Sequence, residues 1–573
     1  MNAETEICTI EQSGTTRYPY SARAQILSLA QYALTGFFAG KTSSELQETA
    51  DRLGIPSADR VNVTLRHKGR IRGSMSASGL TLGRQIVDAV YRAALDRRLG
   101  GPLTRSEMPA AELEVWIQIA ALEIAPDIRT KDDAFLLGIE GLEINFEGKS
   151  AYYKPSVAIT SRNKTAIKLF EALCKKAGLE REAWQRSEVS VRRTQWIYIH
   201  NLDKILSPGP ALDTNNKAAV TLNTWIEESV SYLIRNQYVD GSTAYLYDPI
   251  TDVFTGSNAH NVRAAGCLFA LSQVLQSDHF VPREDTIKSG ILQMARGLLS
   301  LTFLTNDQKR VVQEEDANAA PKVGATALLA AALSDGILRD CFAAEYRQLY
   351  RSVSSAQKTD GRFMTRFWLV EEEDRETNFF SGQALLVLAL EAGRGNSQAL
   401  DQCRLAFHPY VLHFRTSPAT AFIGWHVDVW SRIARITGES AFANFAFEQT
   451  DWLLRMQLRN HCNVSWLGGF SQAGGIPKFS SIVFLEATAR ALQLAVTVGD
   501  SERITKYAES VRLGVQFCRS LRLEDTLPSL LADRARCRGG IALGPLDRRV
   551  RCDVVQHFIT LCLALDQIKE YIL

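Results

Sequence analysis

The chain has 573 residues, 46% of them hydrophobic and 22% charged, a balance that excludes disordered, collagen-like and coiled-coil classes and calls for more than one core. Lysine and arginine number 65 against 63 acidic residues, a formal net charge of +2, so no global field draws the chain to nucleic acid or to an anionic membrane. The opening MNAETEICTIEQSG is acidic and lacks the apolar run of a secretory signal, and no uninterrupted apolar stretch of membrane-spanning length is expected. Ten cysteines with no C-x-x-C pair read as reduced thiols, which predicts a cytoplasmic location.

Periodicity divides the chain. Residues 1–19 read as a tail, 20–200 alternate helical and strand spacing, 201–216 carry prolines, a glycine and a polar end as a linker would, and 217–573 keep helical spacing throughout. The expected fold class is multidomain, α+β and then all-α. In the first part ARAQILSLAQYALTGFFAG predicts an amphipathic helix and RVNVTLRHKGRIRGSM a hairpin turning at Lys68-Gly69. LTLGRQIVDAVYRAALDRRL predicts a second helix, ELEVWIQIAALEIA a strand, GIEGLEINFEGKSAYYKPS a hairpin, and NKTAIKLFEALCKKAGL a helix closing on Gly178.

Several anchors fall in order here: Arg72-Gly73 after the hairpin, Ala93, Ala94 and Asp96 on the second helix, PLTRSEM at 102–108, GIEGLEI at 138–144 and LCKKAGLEREAW at 173–184. On these, residues 20–200 resemble the AMMECR-type domain family. Where that family usually reads R-G-C-I-G this chain reads Arg72-Gly73-Ser74-Met75-Ser76, and DRRL replaces D-P-R-F, so the family's thiol is absent and Ser74 stands in its place. The resemblance implies a fold and little chemistry. It also implies association with radical-SAM or dioxygenase-like partners, which makes a protein partner on this domain one expectation.

The second part yields twelve helical segments of two alternating kinds. Those near 218–236, 284–303, 338–354, 397–413, 440–458 and 501–519 have charged faces and suit an outer ring. Those near 259–275, 323–337, 379–392, 421–436, 480–498 and 552–570 are rich in small and apolar residues and must be covered on most sides. Six covered and six half-covered helices make an (α/α)6 toroid whose long loops share one rim. SGQALLVLAL and WHVDVWSRIARITGE resemble the six-hairpin toroids of glycoside hydrolases, polysaccharide lyases and sugar epimerases. The same barrel serves lanthionine cyclases and prenyl-transfer enzymes, so the fold selects no reaction.

Candidate chemistry gathers at helix starts. His260, Asn261 and Arg263 open the first inner helix, where Arg263 suits an anion clamp and His260 an acid/base role. Arg551, Asp553 and His557 open the last, and the i, i+4 spacing lets Asp553 orient His557. In a closed ring these two groups approach each other. Trp425, His426 and Asp428 open the fourth inner helix and suit stacking and hydrogen bonding of a sugar ring. Glu486 and Asp248 are further candidate carboxylates, while the acidic run Glu371 to Asp374 reads first as a solvated loop. No cofactor is expected. Zinc would have to draw on His461, Cys462, Cys537, Cys552 and His557, whose spacing forms no zinc pattern.

The expected function is acid/base chemistry on a polar, saccharide-like small molecule in the toroid, by hydrolysis, elimination or epimerisation, with His260, Glu486, Asp553 and His557 as catalytic groups and Arg263, Asn261, Trp425, His426, Asp428, Arg551 and Asp248 binding. Two alternatives stand beside it: a non-enzymatic scaffold, and a cyclising or group-transfer enzyme working with a radical-SAM partner.

Overall fold

The computed structural model describes residues 20–51, 57–99, 101–131, 134–161, 163–200, 218–256, 260–277, 284–314, 316, 318–368, 374–461, 463–472, 475–523 and 528–572. The expected tail 1–19, the linker 201–216 and Glu371, Glu372 and Glu373 lie outside them.

The N-terminal part contains α1 (Tyr20–Phe38), β1 (Arg60–His67), β2 (Arg70–Ala77), α2 (Leu82–Ala94), β3 (Ala111–Glu123), β4 (Gly141–Phe146), β5 (Lys149–Tyr153), α3 (Ala166–Ala177) and β6 (Ser190–His200). The strands form one antiparallel sheet in the order β2-β1-β3-β6-β4-β5. Lys68 and Gly69 both have positive φ, 49° and 71°, which gives the β1–β2 hairpin its tight turn. Val61, Val63 and Leu65 of β1 and Leu113, Val115 and Ile117 of β3 are buried with α1 and α2. By the period of two, Arg60, Asn62, Thr64 and Arg66 line the opposite face, so one side of the sheet is a hydrophobic floor and the other is polar.

The C-terminal part is a ring of hairpins. Outer helices α4 (Ala218–Arg235), α6 (Glu284–Ser300), α8 (Ala343–Ser355), α10 (Ser397–Thr416), α12 (Ser440–Leu454) and α14 (Ser501–Ser520) alternate with inner helices α5 (Asn261–Leu275), α7 (Val323–Ala332), α9 (Asp374–Gly393), α11 (Thr420–Thr437), α13 (Ser480–Val498) and α15 (Cys552–Asp566). Each inner helix packs on the next, and α15 packs back on α5, so the ring is closed. Small residues permit that approach. A Cβ on Gly382 of α9 would stand 2.6 Å from Trp425 on α11, and one on Gly266 of α5 would stand 2.5 Å from Gln556 on α15. Helix α13 is long and apolar enough to cross a membrane by length and composition, yet 72% of its most apolar window is buried inside the ring, as an inner helix requires.

A short sheet and a set of loop contacts position the mouth. Val550–Arg551, Leu246–Asp248 and Val253–Thr255 form a three-stranded sheet that ties the loop entering α5 to the start of α15. The loops entering α5, α13 and α15 also rest on the N-terminal part: Ile250, Ile476, Leu530 and Leu546 join the apolar cluster built by α3, β4 and β6. Lys164 Nζ donates to Leu546 O (2.7 Å), Tyr198 OH bonds Ser529 Oγ (2.7 Å), and Arg534 pairs with Glu112.

Candidate active site

Arg551 caps α15 from extended backbone, and Asp553 follows within the first helical turn. The Arg551 guanidinium grips the Asp553 carboxylate as a fork, Nε to Oδ1 at 2.6 Å and Nη2 to Oδ2 at 2.8 Å. From the other side of the seam Arg263 Nε donates to Asp553 Oδ2 at 3.0 Å. Burial alone would raise the Asp553 carboxyl, but the Arg551 fork and the Arg263 charge hold it below the ordinary carboxylate range. The guanidiniums are backed by aromatic rings, Arg263 at 5.6 Å from the Tyr245 centroid and Arg551 at 4.5 Å from that of Phe479.

One turn further along α15, His557 Nδ1 lies 2.9 Å from Glu486 Oε2 of α13. Both side chains are mostly but not fully enclosed, 15% and 17% exposed. An ionised Glu486 accepts the Nδ1–H and fixes the tautomer that leaves the lone pair on Nε2. Among the described residues Nε2 makes no hydrogen bond within the chain. The indole of Trp425 stands 5.7 Å from the imidazole centroid, and Phe269 of α5 stands 6.3 Å from that indole. Partly exposed groups from α5, α11, α13 and α15 thus meet within the N-terminal halves of four inner helices.

Arg263, Arg551, Asp553, His557, Glu486 and Trp425 are brought together. His260 caps α5 with its ring 4.3 Å from that of Tyr245. The carboxylate that orients His557 is Glu486, since both Asp553 oxygens are held by arginines. The other expected binding residues have local partners. Asp248 caps its own turn through Ile250 N (2.9 Å), and Asn261 Nδ2 donates to Gln313 O (2.6 Å). His426 is fully buried between Ser381 (2.9 Å) and Trp430 (3.2 Å) and stacks on Phe422, and burial pushes its imidazole well down in pKa, so it is neutral. Asp428 pairs with Arg432 at 3.0 Å and faces Arg490 at 3.6 Å. Of the zinc candidates, Cys462 lies outside the described residues, His461 Nδ1 accepts from Asn463 N (2.9 Å), and Cys537 Sγ sits 3.7 Å from Tyr247 OH. Among the described residues no three His, Cys, Asp or Glu side chains converge as metal ligands would.

Sequence reasoning passed over Tyr245 and Phe479, the rings against Arg263 and Arg551; their only signal was a place in a rim loop.

The AMMECR1 family model matches residues 27–197. Protein TV1384 of Thermoplasma volcanium is 27% identical over 122 residues, which are 21% of this chain and 60% of that protein. The chain therefore spans about three-fifths of that curated relative. Among solved structures, a D-mannose isomerase aligns at 11% identity over 64% of this chain and 100% of its own, with a TM-score of 0.45. A GH76 α-mannanase, BT2949 of Bacteroides thetaiotaomicron, aligns at 9% identity over 64% of this chain and 99% of its own, with a TM-score of 0.43.

Proposed function

We propose that the helical ring binds a polar, saccharide-like small molecule and moves a proton on it through His557. The observation that carries this reading is the Glu486–His557 pair, 2.9 Å apart through Nδ1, with Nε2 turned to no partner among the described residues. An imidazole so held can take a proton from one carbon and return it to another face or atom. Trp425 offers an apolar face for the substrate's ring, and the Arg263–Asp553–Arg551 group offers N–H donors and a carboxylate oxygen to hydroxyls.

The same geometry ranks the reactions. Glycoside hydrolysis requires a carboxylic acid that is protonated and free beside a second carboxylate. Here Asp553 is held ionised by two guanidiniums and Glu486 is spent on His557. Proton transfer next to a carbonyl, as in isomerisation or epimerisation, needs a base of the kind His557 provides and an electrophilic group of the kind Arg263 provides.

The test is solvent exchange. The full chain is incubated with aldoses, ketoses and uronic acids in D2O, and loss of carbon-bound hydrogen is followed by NMR. His557→Ala is expected to reduce exchange by about 100-fold or more, with Glu486→Gln also impaired. Exchange that is equally fast in both variants rejects the reading.

A further inference from the structure

The polar face of the N-terminal sheet holds a buried charge network. Glu114 on β3 is 0% exposed and takes Arg66 Nε at 2.5 Å and Trp116 Nε1 at 3.0 Å. Lys154, just after β5, is 8% exposed, lies 3.5 Å from Glu114, and donates to Asn62 Oδ1 at 3.2 Å and to the hydroxyl of Thr64. Thr64 is fully buried and its Oγ1 lies 3.0 Å from Ser74 Oγ on β2. Ser74 is half-buried, so an unbroken path of hydrogen bonds runs from an amine inside the sheet face to a hydroxyl at its edge. Toroid residue Ser529, bonded to Tyr198, covers the Glu114 end.

We propose that this face is a second catalytic site, in which Ser74 is the nucleophile of an acyl transfer and Lys154 its base acting through Thr64. A serine hydroxyl becomes nucleophilic when a base within hydrogen-bond reach takes its proton, and a desolvated lysine serves as such a base. The substrate class is an ester or thioester of a carboxylic acid. Attack forms the bond between Ser74 Oγ and the acyl carbon. The serine proton passes to the Thr64 hydroxyl, whose own proton passes to Lys154 Nζ. The alkoxide or thiolate departs and recovers a proton along the same path, and water then repeats the sequence, releasing the acid and restoring Ser74. Asn62 Nδ2, 3.3 Å from Ser74 Oγ and 3.2 Å from both Met75 O and Tyr152 OH, places N–H donors beside the attacked carbonyl, whose oxygen becomes the oxyanion. Around the opening, Arg60, paired with Glu143 at 2.8 Å, and Lys176 lie 4.4 and 5.2 Å from the Tyr152 ring centroid, and Arg98, paired with Asp96 at 2.9 Å, donates from Nη2 to Ser74 O at 2.9 Å.

The charged groups facing Lys154 are Glu114 of β3, Arg66 of β1 and Lys176 of α3; burial outweighs the Glu114 attraction and, with the two like charges, brings the ammonium down to about 8.

A fluorophosphonate probe tests the proposal on the full chain: Oγ bonds phosphorus, fluoride leaves, and the proton goes to Lys154. Peptide mass spectrometry is expected to find the label on Ser74, at a rate that rises about tenfold per pH unit in the acid range and levels near pH 8. Ser74→Ala is expected to abolish that label. Thr64→Val, which exchanges a hydroxyl for a methyl of similar size, is expected to slow labelling by about 100-fold while the melting temperature shows whether the fold is kept. The proposal is overturned if folded protein takes no label on Ser74 up to pH 9, or if folded Thr64→Val labels at the parent rate. Should Thr64→Val fail to fold, the parent's pH profile decides: a rate flat from pH 6 to 9 overturns it.

Discussion

Closing a ring of twelve helices brings residues 290 apart into one ion pair, Arg263 with Asp553, and Asp553→Asn tests what that contact contributes. The Asp553 side chain is 14% exposed, Arg551 17% and Arg263 32%. Three N–H groups converge on its two oxygens. Asparagine keeps one carbonyl oxygen, loses the charge, and turns an amide toward two guanidiniums. Breaking a buried pair by removing one partner costs about 3–5 kcal/mol, and the solvent reaching Arg263 trims this to about 2–3 kcal/mol. Chemical denaturation would read the total, and hydrogen exchange of peptides from α5 and α15 would locate it, with protection falling at the seam first. The pH dependence has a definite sign. Asp553 is held below the ordinary carboxylate value in the folded chain, so its contribution is complete above the unfolded value of about 3.9 and is lost as pH falls through the folded one. The gap between parent and variant therefore narrows in acid. A double-mutant cycle with Arg263→Ala should return a coupling of about 1–2 kcal/mol. A variant within about 0.5 kcal/mol of the parent at pH 7, with unchanged exchange in α5 and α15, would refute the claim that this contact braces the seam.

Three further expectations follow from the packing. Leu546→Ala removes a side chain 5% exposed that fills the cluster between the two parts of the chain, and should cost about 2–5 kcal/mol in denaturant titration; a loss below about 1 kcal/mol would mean the junction is loosely filled. Gly69→Ala puts a Cβ 2.7 Å from Ala532 N at a φ of +71°. Limited proteolysis should then cut within 528–534, and a digestion pattern identical to the parent's would contradict that contact. His426 is buried and neutral with its pKa pushed well down, and burial brings His200 down to about 4. Both contribute stability that is complete above the unfolded histidine value of about 6.5 and lost as pH falls below it. Tryptophan fluorescence, with Trp430 against His426, should report weaker resistance to denaturant at pH 5 than at pH 7; equal midpoints would contradict the assignment.

The alternation of charged and small-residue helices was legible because an inner helix of a ring meets protein on most sides and an outer one meets water on one side. What escaped was where local chemistry overrides period. Helix α9 starts at Asp374 rather than near 379, because an acidic first turn that reads as loop also suits a helix N-terminus. The third outer segment breaks at Phe342, whose backbone leaves the helical region (φ −129°, ψ 35°), and α7 stops at Ala332 because Asp335 already caps a new turn. Strand β6 was not singled out, although TQWIYIH alternates well, because it runs directly into the linker composition that follows.

The site was legible in part for a related reason. The spacing of Asp553 and His557 says that they share a face of one helix, and says nothing of which neighbour reaches that face; Glu486, 71 residues earlier, takes the imidazole, and two arginines take Asp553. Trp425 and His426 are adjacent, and adjacent side chains on a helix diverge by about 100°. One therefore faces the mouth beside His557 while the other enters the core beside Ser381. On a single helix, residues three or four positions apart share a face, whereas adjacent ones do not.

The segment from 528 to 551 joins these pieces mechanically. At one end Ser529 reaches Tyr198 and Arg534 reaches Glu112 on the polar face of the N-terminal sheet. In its middle Leu546 fills the apolar junction under Gly138, and at its far end Val550–Arg551 pairs with Leu246–Asp248 and delivers the fork that holds Asp553. A rigid-body shift of the N-terminal part would therefore move Arg551 against Asp553 within one short stretch of chain. The same stretch of chain thus contacts the polar face of the sheet and carries the Arg551 fork on Asp553.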